Sequence, residues 1–142
     1  MPAMHMRADF LDAHQRHWQD AELLFGLQRL ANADHLYGMA AECGLKSLML
    51  EFGMVVDARG PTSEADRKHA DRIWDRFETY RSGHTKGPGY ALSPDNPFSN
   101  WNAGQRYAGQ HHFDEIRVSG HRSGAEQVSR LIRKAEREGM LT

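Results

Sequence analysis

Arg106 and His111 are the residues whose types and spacing best suit chemistry on a phosphate group. They lie five positions apart in the segment Arg106-Tyr107-Ala108-Gly109-Gln110-His111, after a stretch that is rich in glycine and proline. A histidine can take up or release a proton near neutral pH, and an arginine presents a permanently charged fork of donors that fits a phosphate. Together they form a minimal set of groups for gripping or cutting a phosphodiester without a metal ion.

Cleavage of RNA at the 2′-hydroxyl needs proton transfer and donors for the negative charge on the phosphoryl oxygens. We assign proton transfer to His111 and binding of the phosphate to Arg106. His112, one position later, is the alternative histidine. If this segment is helical, residues five apart lie slightly more than one turn from each other and can converge. A surface or structural role for Arg106 and His111 stays open. The chain has 9 histidines and 18 lysines plus arginines, so similar pairs are expected by chance, and Arg117 with His121 is one of them.

Three neighbouring residues, Trp101, Asn102 and Tyr107, are candidates for binding the substrate. An exposed tryptophan at position 101 can stack on a base, although tryptophans more often belong to a core. His14 and His17, one helical turn apart, suggest zinc only weakly because no carboxylate is placed as a partner. We therefore predict no metal site and no cofactor, and a packed, hydrogen-bonded role for His14.

Composition predicts a single soluble domain over residues 1–142. The chain has a formal net charge of −1, so RNA binding would need a local patch. The candidate residues for such a patch, which also suit a solvated helix face, are Arg117, Arg122, Arg130, Arg133 and Lys134. The single cysteine, Cys43, is read as a small buried hydrophobe that excludes an internal disulfide and fits a reducing cytoplasm. No apolar run is long enough for a membrane span or a signal peptide.

Hydrophobic spacing of three and four residues predicts helices nearly throughout. We predict helices over 9–29, 34–50, 64–81 and 121–138, a flexible tail over 1–8 and a long loop over 82–105. The second helix has two apolar stripes and several small residues, which indicates the central helix of a bundle. Within it, Glu42 and Lys46 are spaced for an ion pair on the helix face, or for a buried charge pair lining a site.

Several segments of the chain resemble the HEPN family, the helical domain named for higher eukaryotes and prokaryotes, nucleotide-binding. The resemblance is carried by the first two helices and by the end of the chain. The matching segments are Trp18–Leu24, Asn32–Leu36, Ala41–Lys46, Arg106-Tyr107, Gly124-Ala125-Glu126 and Val128.

This resemblance implies an all-α, up-and-down bundle of four to five helices that forms a homodimer. Many members are metal-independent endoribonucleases or toxins whose site combines an arginine with a histidine a few residues later. That motif can fall here only on Arg106 with His111 or His112. Two departures stand out: an aromatic residue, Tyr107, directly follows the arginine, and Phe113 occupies the position of a tyrosine that is nucleotidylated in one toxin subgroup.

Two functional hypotheses follow for this chain. The first is a metal-independent endoribonuclease of HEPN type, as a toxin or defence component with an antitoxin or nucleotidyltransferase partner. The alternative is a non-catalytic HEPN-like module that binds a nucleotide, RNA or a partner protein. The spacing of Arg106 and His111 favours the first hypothesis, and the nearly neutral charge favours the second.

Overall fold

Helices dominate residues 6–141, the part of the chain that the computed structural model describes. The four α-helices are α1 Phe10–Gly26, α2 Leu30–Glu51, α3 Ala70–Ser82 and α4 Glu115–Arg137. Short 3-10 helices cover Glu64–Asp66, Gly87–Tyr90, Ala103–Tyr107 and Gln110–His112. Two two-residue strands, β1 Val56–Asp57 and β2 Gly60–Pro61, pair antiparallel in a small hairpin that periodicity did not predict. The all-α class is confirmed, whereas most of the predicted tail, residues 1–5, lies outside the described chain.

The second helix, α2, is the centre of the fold, as its two apolar stripes predicted. It packs against α1, α3 and α4, and its residues are buried without interruption from Ala40 to Met49. Its glycines permit this close packing. A Cβ atom on Gly44 would lie 2.5 Å from Val128 Cγ1 and 2.7 Å from His14 Nδ1, and one on Gly38 would overlap the indole of Trp101.

Local signals account for the ends of three helices. Asp9 is the N-cap of α1, because its carboxylate accepts a hydrogen bond of 3.0 Å from the Asp12 N–H. Gly53 ends α2 with a φ of 108°, and the Met54 N–H donates to the Met49 carbonyl at 2.8 Å. Asp114 caps α4 by accepting from the Arg117 N–H at 2.8 Å, so this helix begins at Glu115 rather than at the predicted residue 121.

The predicted third helix over 64–81 is wrong at its start. A 3-10 turn at Glu64–Asp66 precedes α3, which begins only at Ala70. The Asp66 side chain, 1% exposed, turns inward and accepts from Arg76 Nε at 2.8 Å and Tyr80 Oη at 2.5 Å. Since Arg76 and Tyr80 of α3 bind its carboxylate, Asp66 anchors the preceding turn against α3.

The predicted loop over 82–105 packs on the helices through buried aromatic side chains. Tyr90, Phe98 and Trp101 are each at most 1% exposed and belong to the same hydrophobic cluster as residues of all four helices. The Tyr90 hydroxyl also donates to Glu138 at 2.5 Å. These contacts set the position at which the chain enters the segment with Arg106 and His111. Among residues 6–141, none of the helices combines the length and apolarity needed to cross a membrane.

Candidate functional site

Arg106 lies on the 3-10 helix Ala103–Tyr107, which we call the Arg106 turn. Its side chain is exposed and folds back on this turn: Nη1 donates to the Ala103 carbonyl at 2.6 Å, and Cζ lies 4.6 Å from the centre of the Tyr107 ring. The Tyr107 ring is 81% exposed. Asn102 is exposed at the start of the turn, where its N–H donates to Gln105 Oε1 at 3.4 Å. The guanidinium is thus held at the surface with donors to spare.

His111 and His112 lie on the next 3-10 helix, Gln110–His112, which we call the His111 turn. Both imidazoles are exposed, and their ring centres lie 4.0 Å apart. Ala108 and Gly109 between the two turns have extended backbone, with ψ angles of 156° and 148°. The segment is therefore not one continuous helix, and the condition for helical convergence of Arg106 and His111 is not met: the two side chains belong to separate turns joined by a short extended link.

Trp101 is part of the core, with 1% of its surface exposed. Its Nε1–H donates to the Asp34 carbonyl at 3.0 Å, and its indole stacks on His35 with ring centres 6.0 Å apart. No face of this indole is open to a base, so the structure agrees with the core alternative and contradicts base stacking at Trp101.

A buried polar network ties the segment before Arg106 to α2 and α4. Asp34, which is fully buried, lies 2.5 Å from His121 Nδ1 through Oδ1 and accepts from Gln105 Nε2 at 2.6 Å through Oδ2. The other nitrogen of His121, Nε2, lies 2.7 Å from Asn100 Oδ1. Arg117 Nη2 donates to the Asn100 carbonyl at 2.5 Å. Buried polar groups of this kind need partners, so the network fixes residues 100–105 against two helices.

Sequence reasoning did not find this network. Its members are far apart in the chain. Asp34 does not interrupt the apolar stripes of α2, so the pattern gave no sign that this polar residue is buried. The only available signal was the presence of aspartate and histidine, Asp34 and His121, on helical faces that also carry buried side chains. Arg117 and His121, noted as a chance pair, both bind Asn100.

A small basic cavity lies beside Arg106, with a volume of about 130 Å³. Its wall is made by the start of α2 and by both 3-10 turns, through Arg29, Asn32, Gln105, Arg106 and Gln110. Within the described residues, 6–141, no acidic residue lines it. In the chain between residues 6 and 141, neither Arg29 nor Arg106 forms an ion pair with a carboxylate. The cavity therefore suits a small anion.

The charge pair of α2 is buried rather than on the helix face. Glu42 and Lys46 are each 6% exposed, with Lys46 Nζ 3.0 Å from Glu42 Oε2. The second carboxylate oxygen of Glu42 lies 2.9 Å from Nδ1 of His69, the residue before α3. Of the two arrangements expected from the sequence, the structure shows the buried pair. The contact between Glu42 and His69 holds the start of α3 against α2.

Burial affects the protonation of histidines on the inner faces of α1 and α2. It lowers the pKa of His14, whose Nδ1 lies 2.7 Å from the Ala40 carbonyl, so the packed, hydrogen-bonded role predicted for His14 is confirmed. Burial also lowers the pKa of His35, and the positive charge of Arg106 lowers it further. His35 and Arg106 are therefore within electrostatic range of each other. Across residues 6–141 no three histidine, cysteine or acidic side chains are grouped to hold a metal ion.

The basic residues of α4 are mostly engaged within the molecule. Arg122 pairs with Glu22 at 2.7 and 3.0 Å, and Arg130 pairs with Glu126 at 2.8 Å. Lys134 donates to the Gly89 carbonyl. These contacts favour the solvated helix face over an RNA-binding patch on α4.

The chain was compared with family models, with curated proteins and with solved structures, and none of the three comparisons found a match.

Proposed function

We propose that the chain is a metal-independent endoribonuclease of the HEPN type, in which Arg106 binds the scissile phosphate and His111 transfers a proton. The observation that supports this proposal is that both side chains are exposed and, in the described part of the chain, unpaired with any carboxylate. Both are exposed on successive 3-10 turns, and within the described residues 6–141 neither is neutralised by a carboxylate. Their donors and their proton-transfer capacity remain available to a substrate.

The reaction that suits these groups is attack of a ribose 2′-hydroxyl on the adjacent phosphorus. The 2′-oxygen forms a bond to phosphorus, its proton passes to a base, and the 5′-oxygen leaves and takes up a proton. An imidazole can carry out these proton transfers, and a guanidinium can stabilise the charge on the phosphoryl oxygens. His112, whose ring lies beside that of His111, supplies a second imidazole at the same place.

The proposal includes a homodimer and a role as a toxin or defence component, both implied by the family resemblance. Control by nucleotidylation of a tyrosine after the histidines is not part of it, because Phe113 at that position has no hydroxyl and is 6% exposed. The partner would then be an antitoxin that binds the folded protein.

Cleavage of single-stranded RNA by the purified protein in the presence of EDTA tests the proposal. We expect Arg106→Ala and His111→Ala each to lower the rate by about a hundredfold or more, as for loss of a phosphate donor or a general acid–base. His112→Ala shows whether His111 or His112 transfers the proton. Arg72→Ala is the matched control, because Arg72 is exposed on α3 and outside the cavity. A parent protein that does not cut RNA, or alanine variants that cut as fast as the parent, would contradict the proposal.

The second candidate function is a non-catalytic binding module. It is favoured by the way the Arg106 side chain folds back on Ala103 and Tyr107. It is also favoured because, among residues 6–141, no carboxylate pairs with His111 to orient its ring. If this function is correct, fluorescence anisotropy should detect binding of RNA or a nucleotide that depends on Arg106, while RNA added at the same concentration stays intact.

A further inference from the structure

The cavity beside Arg106 is large enough for a phosphate group. Its volume is about 130 Å³, whereas about 10–15 Å³ of such volume is enough to hold one water molecule. A tetrahedral anion with four oxygens therefore fits inside it.

The lining of the cavity carries positive charge with no internal counterion. Arg29 and Arg106 line the same small space, and in the described part of the chain no acidic residue lines it. The carboxylate bound to a lining residue is that of Asp34, which is fully buried and already engaged by Gln105 and His121. An anion entering the cavity would thus meet two arginine residues and no acidic residue among residues 6–141.

Several hydrogen-bond donors around the cavity are free to bind an anion. The Arg106 guanidinium gives one N–H to the Ala103 carbonyl and keeps its other donors. The side chains of Arg29, Asn32 and Gln110 make no hydrogen bond to any other described residue from 6 to 141. Gln105, in contrast, is fixed by its bond to Asp34 and forms a rigid wall. The cavity thus combines one fixed side chain with several side chains whose donors are free to bind an anion.

We infer that this cavity binds a phosphate group of the substrate and that Arg29 is its second arginine, acting with Arg106. Asn32 and Gln110 donate from their amide groups to the remaining oxygens. The inference rests on the proposed function for the identity of the substrate, an RNA strand, and adds Arg29 to its binding residues. Two arginine forks on one phosphate fix its orientation more narrowly than one. Gln110 directly precedes His111, so the bound phosphate lies next to the turn that carries the proposed proton-transfer residue.

Binding of inorganic phosphate to the parent protein tests the site without any need for cleavage. Side-chain N–H signals of arginine, asparagine and glutamine would be followed by NMR while phosphate replaces chloride at constant ionic strength. We expect Arg29→Gln and Arg106→Gln each to raise the dissociation constant about tenfold or more, as for loss of a charge-assisted hydrogen bond. Arg29→Lys, which keeps the charge and loses the fork, should give a smaller loss. Arg72→Gln is the matched control and should bind phosphate like the parent.

The outcomes separate this inference from the proposed function. If phosphate binding depends on Arg29 but RNA stays intact, the cavity is a phosphate site and the ribonuclease proposal fails. If RNA is cut and Arg29→Gln binds phosphate as the parent does, the inference is overturned and the ribonuclease proposal stands. If both hold, Arg29→Gln should raise KM for RNA more than it lowers kcat. Circular dichroism of each variant checks that it is folded, which the exposure of Arg29 leads us to expect.

Discussion

Burial of the His14 imidazole makes the stability of the protein sensitive to pH. The folded state lowers the pKa of His14 below its ordinary value of 6.5, first through desolvation. Above pH 6.5 the ring is neutral in both folded and unfolded chains, and its contribution is fully present. As the pH falls below 6.5, the unfolded chain takes up a proton more readily, and stability is lost down to the lower pKa of the folded state.

We therefore expect the free energy of unfolding to decrease between pH 7 and pH 5, and to decrease less in His14→Gln. A glutamine amide can still donate to the Ala40 carbonyl but does not titrate. Urea unfolding at several pH values measures the effect. His112→Gln is the control, because His112 is exposed. An identical pH dependence in the parent and in His14→Gln would show that His14 is not the group responsible.

Lys46 is bound to Glu42 in a buried pair whose partners depend on each other. Lys46→Met leaves the Glu42 carboxylate buried with only His69 beside it, and we expect unfolding to become easier by about 3–5 kcal/mol. The double variant Glu42→Gln with Lys46→Met removes the stranded charge and should recover part of this loss. Lys68→Met breaks an exposed pair with Glu64 at 3.7 Å and should cost about 1 kcal/mol or less. Equal losses in the single and double variants would contradict this account.

At the scale of elements, the contact between α2 and the loop before Arg106 depends on Gly38. A Cβ atom there would overlap the Trp101 indole, whose Nε1–H donates to Asp34. We expect Gly38→Ala to lower the free energy of unfolding by about 1–3 kcal/mol, because the indole must move. Gly120→Ala is the matched helical control. Nothing lies within 4 Å of its Cβ position, so alanine should be neutral or stabilise α4 by up to about 1 kcal/mol. Thermal unfolding followed by tryptophan fluorescence compares the two, and a Gly38→Ala variant as stable as the parent would contradict the tight contact.

Helix positions were largely predictable because each depends on a local pattern. The spacing of Leu11, His14 and Trp18 predicts α1, and the two apolar stripes predict α2 as the central helix. The separate turns of Arg106 and His111 were not predictable, since five residues of sequence do not determine whether glycine at position 109 interrupts a helix. Arg29 was missed for a different reason: it lies 77 positions before Arg106, and only the packing of α2 against the 3-10 turns brings both to one cavity.

For the whole molecule, we predict a homodimer from the family resemblance. Both apolar faces of α2 are covered by the chain's own helices, so they are not left for a second copy. Large apolar side chains remain exposed elsewhere, including Leu23 at 63%, Leu27 at 64% and Ile116 at 87%. Sedimentation at micromolar concentration should give twice the mass of 16.2 kDa. A sedimenting species of single mass would contradict the dimer and any active site shared between two copies.

Cys43, the only cysteine in the chain, leaves the surface free for selective labelling. It is 6% exposed within α2, and burial raises the pKa of its thiol to about 12. Maleimide reagents react with the thiolate, which is scarce and inaccessible at such a site. A cysteine introduced at exposed Ile116 should therefore take a spin label or fluorophore without removal of Cys43. One label on each copy would then report the distance between two subunits in solution.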